Sequence, residues 1–264
     1  LPKRGNYPAT LNWTGASSGT TGRRNNRGFE GLTVTPDGKR LVTVLQSPLV
    51  QDGGRANTSQ NSRVLFFDIE PGSATYGKAV AEYIYPLTLN GDAAGNRQTI
   101  LSEVLAVNQN TFLVSERDAL GYGSGDTNAC SYKRIVLFST RDASNLINTG
   151  YDFERGAPGM KALPTNGLPA SLKAVSRVDL VNLLNPADLA RFGLNNTASD
   201  ANSMPEKWEG LGLIPKNDPA APDDYYLLIG TDNDLTSSFV YHNGVVVATN
   251  SFTVDTFLFA YHVT

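Results

Sequence analysis

Five carboxylates stand at matched places in the chain, and acidic oxygens gathered at one point can do two kinds of chemistry. Glu30, Glu103 and Glu209 each open a short apolar run, and Glu116 and Asp232 each close one, as does the neutral amide Gln46. Hard oxygen ligands in number suit Ca2+ or a similar divalent cation. A carboxylate left unliganded can act as a general base. Without a cation, protons or basic partners, such a group would repel itself. Basic side chains lie close in sequence: Arg27 before Glu30, Arg117 after Glu116, and Lys133-Arg134 one loop further on. A guanidinium beside a carboxylate forms an ion pair, or receives an oxyanion or phosphate. A single carboxylate at a strand end is more often a solvated surface group. The argument for a shared site is that one offset recurs three times.

The elements that must position these residues are three copies of one pattern. The first is Gly28-Phe29-Glu30-Gly31-Leu32-Thr33-Val34, a Pro36-Asp37-Gly38 turn, and Leu41-Val42-Thr43-Val44-Leu45-Gln46. The second is Ser102-Glu103-Val104-Leu105-Ala106-Val107, an Asn108-Gln109-Asn110 turn, and Thr111 to Arg117. The third is Trp208-Glu209-Gly210-Leu211, a longer connection, and Tyr225 to Asn233. Each copy reads as an antiparallel hairpin, and recurrence within a chain marks a repeat architecture. The start of the first strand and the end of the second lie at the same end of a hairpin. The pairs are therefore Glu30 with Gln46, Glu103 with Glu116, and Glu209 with Asp232. If the hairpins are arranged radially, as in a β-propeller, the first strands line a channel and all six positions meet at one mouth. Five carboxylates there make a calcium site of Glu30, Glu103, Glu116, Glu209 and Asp232. Gln46 removes one charge from that ring.

The expected fold is all-β, with about three blades at 28–90, 99–182 and 207–264 after an N-terminal arm at 1–27. Ser62 to Asp68 and Ala79 to Tyr85 complete the first blade, with Glu82 facing solvent. Ala174 to Leu180 closes the second, and Asn185 to Phe192 is a short helix with Pro186 in its first turn. In the third, Ser237 to Tyr241 is the third strand and His242 a turn residue. Phe257 to Val263 is expected to pair with another chain. Trp208 belongs to the core, and the glycine-bearing loop 118–131 forms a rim.

Charged residues make up 18% of the chain and the formal net charge is −3, which gives no support for nucleic-acid binding. No apolar run is long enough to span a membrane as a helix. The single cysteine, Cys130, cannot bridge within the chain. It is either a buried free thiol or the partner of a cysteine on another chain. Sequons at Asn12, Asn57 and Asn195 suit a secretory route and glycosylation.

The same stretches resemble the phytase-like domain family, described as having esterase-like activity of phytase. The resemblance rests on Asn26 to Leu32 with Pro36-Asp37-Gly38, Arg63 to Asp68, Leu113 to Arg117, Lys133 to Leu137, Trp208 to Leu211 and Gly230 to Asp234. It implies a secreted β-propeller of six blades that hydrolyses phosphoric or other esters. On this reading a divalent cation polarises the phosphoryl or acyl oxygen and activates water. Glu116 is the general base, and Arg27 or Arg117 binds the anion. Glu103 falls outside the family motifs and rests on the internal repeat alone. A non-catalytic secreted propeller binding a protein, glycan or small molecule is the alternative, its carboxylates holding a structural ion or bridging blades. Family members begin with further strands upstream. A closed propeller needs at least four blades, so a second polypeptide is expected to complete this one. That partner is a cleaved fragment of one precursor or a second copy of the chain, and Cys130 could link the two.

Overall fold

The computed structural model describes residues 22–53, 57–92, 94–124, 128–152, 161–197, 202–234, 236, 239–249 and 253–264. Alternating apolar residues between turn signals build three antiparallel sheets in chain order. The first runs β1 (Phe29–Val34), β2 (Arg40–Leu45), β3 (Asn61–Asp68) and β4 (Ala79–Pro86), each strand beside the next. The second repeats that order with β5 (Ile100–Ala106), β6 (Thr111–Arg117), β7 (Lys133–Ser139) and β8 (Ser176–Asn182). A short helix, α1 (Pro186–Arg191), follows, its first turn capped by Asn185 Oδ1 accepting from Ala187 N at 2.9 Å.

The third sheet departs from the expectation. β9 (Lys207–Pro215) pairs with β10 (Tyr225–Asp232), but the next strand in that sheet is β13 (Leu258–Val263). The segment expected to be its third strand instead forms a separate hairpin, β11 (Phe239–His242) with β12 (Val245–Thr249). The reason is the turn: Asn243 and Gly244 both take positive φ, the conformation of a tight two-residue hairpin. His242 thus ends a strand rather than sitting in the turn. The C-terminal segment, expected to pair with another chain, pairs with β10.

Two apolar seams join the sheets. Val42, Val44, Val64 and Phe66 of the first meet Val104, Phe112, Val114 and Val136 of the second. Phe112 stacks on Phe138 at 5.2 Å and meets Phe66 edge-on at 5.4 Å. In the second seam Leu113, Ile135 and Val181 pack with Leu227, Ile229, Phe259 and the fully buried Trp208. The first strands come together: β1 packs on β5, and β5 on β9. Gly31 sits in the close approach of β1 to β5, where an added Cβ would lie 2.4 Å from Val104 N.

Glu82 is the other correction, since it is buried rather than solvent-facing. The segment after β7 folds back over β4, with Leu146 N donating to Glu82 O at 2.8 Å. Beneath it Arg63 pairs with Glu82 at 2.5 Å and with Asp52 at 2.8 Å.

Candidate functional site

Each first strand carries a β-bulge at its glutamate. In β1 the register shifts between Phe29 and Leu32, around Glu30. In β5 it shifts between Leu101 and Val104, around Glu103. In β9 Gly210 and Trp208 face consecutive residues of β10, leaving Glu209 as the extra residue. A bulge re-aims a side chain and bends its strand, so the recurring glutamate is also a recurring irregularity of backbone.

Glu30 and Glu209 face a polar cavity of about 420 Å³. Arg27, Arg117 and Lys207 also line it, as do Glu206, Asp232, Asp234 and Gln46. Gln46 joins two of these groups: its Nε2 donates to Glu30 Oε1 at 2.8 Å, and its Oε1 accepts from Arg27 Nη1 at 3.3 Å. Arg117 pairs with Glu209 at 2.6 Å and approaches Glu206 at 3.7 Å. Lys207 pairs with Asp234 at 2.5 Å, and Asp232 Oδ1 accepts from Asp234 N at 2.8 Å. Burial, then the neighbouring cations Arg24 and Arg117, bring the Arg27 guanidinium down to about 10. Burial, then Glu209, raises the Glu30 carboxyl above its ordinary value.

The other expected members lie elsewhere. Glu103 turns onto backbone, accepting from Val104 N at 2.8 Å and Leu32 N at 3.4 Å. Glu116 is sealed between the first two sheets. It accepts from Tyr85 OH at 2.7 Å and Thr88 N at 2.9 Å and pairs with Arg177 at 2.9 Å. The cross-strand pairing of Glu30 with Gln46 is therefore present, whereas Glu103 and Glu116 bond to separate partners. Glu209 pairs with Arg117, and it and Asp232 both line the cavity. Among the described residues no group of three or more His, Cys, Asp or Glu side chains is disposed to hold a metal ion.

Hairpin geometry does not point to Glu206, Lys207 or Asp234 as site residues. The signal for Asp234 was the oxygen-rich Thr231-Asp232-Asn233-Asp234. Glu206 and Lys207 are brought in by the loop after β6. There the buried Lys133 ammonium donates to Asp118 Oδ1 at 2.5 Å, Leu120 O at 2.8 Å and Glu206 O at 2.7 Å. Gly121, at φ +123°, lets this loop lie against Met204 and Glu206, where a Cβ would meet Met204 O at 2.8 Å.

Cys130 is a buried free thiol that donates to Leu120 O at 3.4 Å. Of the sequons, Asn12 lies outside the described residues. Asn57 takes a positive φ of 57°. Asn195 Oδ1 accepts from Thr197 N at 3.0 Å and Thr197 Oγ1 at 2.7 Å.

The protein is thus an all-β chain in which β1, β5 and β9 border a charged cavity. Its sequence matches the Phytase-like family, described as esterase-like activity of phytase, over residues 2–235. The chain belongs to that family. An uncharacterized secreted protein of Arthroderma benhamiae is 30% identical over 228 residues, covering 81% of this chain and 43% of the relative. The chain thus spans less than half the length of that curated relative. No solved structure matches it.

Proposed function

We propose that this chain is part of a secreted hydrolase of phosphoric or other esters, with the cavity at the bulged inner strands as its site. Family membership and the secreted relative support the class. Among the described residues no helix is long and apolar enough to cross a membrane. The observation that carries the site is the Arg27–Gln46–Glu30 chain of hydrogen bonds, which sets a cation and a carboxyl of raised pKa in one cavity. Arg27 and Arg117 receive the ester's anionic oxygens. Glu30 takes a proton from the attacking water as the bond from phosphorus or acyl carbon to the leaving oxygen breaks, and returns it to that oxygen. Glu116, sealed by Tyr85 and Arg177, does not face this cavity.

Turnover of 4-nitrophenyl phosphate and 4-nitrophenyl acetate tests the reading. Glu30→Gln is expected to lower kcat by about 10²–10⁴ and to remove an acid limb lying above the ordinary glutamate range. Arg27→Ala should raise KM. Unchanged turnover in both variants would overturn the assignment. A second reading, a non-catalytic binding propeller, is favoured by the internal pairing of Arg117 with Glu209 and Lys207 with Asp234. Ligand binding without turnover would select it.

We also propose that the three sheets are propeller blades, at about 28–90, 99–182 and 207–264 after an arm at 1–27, completed to six by further polypeptide. The convergence of β1, β5 and β9 supports this, as does the three-stranded third sheet beside two of four.

A further inference from the structure

We infer that Glu116 and Arg177 are positioning residues for the cavity, a buried ion pair that sets the direction of Arg117. The inference rests on the reading of this cavity as the site. The pair's own contacts lie within the first two sheets and the connection between them, away from the open third sheet. Successive side chains of a strand point to opposite faces. On β6 Arg117 lines the cavity, while Glu116 is drawn the other way and fully buried between the sheets.

Glu116 uses both oxygens. Oε1 accepts from Thr88 N at 2.9 Å and Thr99 Oγ1 at 2.5 Å, and Oε2 from Tyr85 OH at 2.7 Å. Arg177, on β8, reaches Oε2 at 2.9 Å. The same guanidinium donates to Pro86 O at 2.6 Å, Thr88 Oγ1 at 2.8 Å and Tyr132 OH at 3.1 Å. The connection from β4 to β5 thus leaves and returns at one carboxylate, with Thr99 N donating to Thr88 O at 2.8 Å. Directly after Thr99, Ile100 lines the cavity. Ser102 Oγ then accepts from Arg117 Nε at 3.0 Å. The pair therefore fixes both the strand that carries Arg117 and the strand that holds its Nε. Removing one partner leaves an uncompensated buried charge, which the surrounding groups must move to relieve.

The test is turnover of 4-nitrophenyl phosphate by the secreted protein and its variants. Glu116→Gln and Arg177→Gln are each expected to raise KM about tenfold and to lower kcat less, since a misdirected guanidinium weakens anion binding. The double variant should be no worse than either single one, because the two residues act as a unit. Thr99→Val removes one hydrogen bond from Oε1 and should raise KM by a smaller factor, which carries the test if an ion-pair variant does not fold. In an Arg117→Ala background the same substitutions should leave KM nearly unchanged, which a general loss of packing would not do. A wild-type KM in the folded variants, or an equal loss without Arg117, would overturn the inference while Arg27→Ala and Glu30→Gln still impair turnover. If those two variants are silent as well, the site assignment itself falls and this inference with it.

Discussion

Asp68 ends β3 and gathers hydrogen bonds from Ser73 Oγ and Thr75 Oγ1, then from Glu70 N at 3.0 Å, with Arg40 at 2.8 Å. These donors bring its carboxyl from an ordinary 3.8 down to about 2. A carboxyl so depressed stabilises the fold above its ordinary pKa, and that contribution is lost as pH falls toward the folded value. The urea midpoint of the wild type should therefore fall more steeply than that of Asp68→Asn between about pH 4 and pH 2. Parallel curves would show that these bonds do not act in solution. At the same scale, the candidate site was only partly legible. The partnership of Glu30 with Gln46 follows from hairpin geometry alone. That of Glu103 with Glu116 fails because Glu103 turns onto the backbone of Val104 and Leu32 while Glu116 is drawn to Tyr85, Thr88 and Arg177. Those partners come from segments distant in sequence, and nothing in residue type announces them.

Between elements, the approach of β1 to β5 depends on the absence of a side chain at Gly31. Gly31→Ala should cost about 1–3 kcal/mol or more, because its Cβ would meet backbone that cannot yield as a side chain does. Gly212→Ala is the comparison: its Cβ would lie 3.8 Å from Leu228 Cβ, an ordinary contact, and should change stability by no more than about 0.5 kcal/mol. Equal losses in chemical denaturation would mean that β1 and β5 are not so closely set. The first two sheets were readable strand by strand, since apolar alternation and turn residues coincide there. The third was not. Phe239–His242 and Leu258–Val263 carry similar apolar and aromatic character, and only the left-handed turn at Asn243 and Gly244 diverts the former into its own hairpin. Glu82 misled for a different reason. A charge within an apolar strand suggests solvent, and its partner Arg63 lies across the sheet beneath a distant segment.

For the whole molecule, the third sheet poses a physical problem. β13 is an outer strand without a further neighbour among the described residues. Leu258, Ile214 and Tyr226 of this sheet are exposed by 69%, 48% and 44%. Open edges and apolar faces of this kind invite association. Native mass spectrometry of secreted material should show a second polypeptide that separates on denaturation without reductant, because the thiol of this chain is already enclosed. A native mass equal to this chain alone, glycans aside, would remove the six-bladed completion.

That enclosed thiol has a use of its own. Cys130 is the sole cysteine, set in the seam between the second and third sheets. Burial, its largest influence, raises it to about 11. At neutral pH it offers a reagent little thiolate and, among the described residues, little exposed surface. Alkylation must then wait for the sheets to part. The molecule carries a built-in clock for that event, and docking of further polypeptide across the third sheet would be read as the clock running slow.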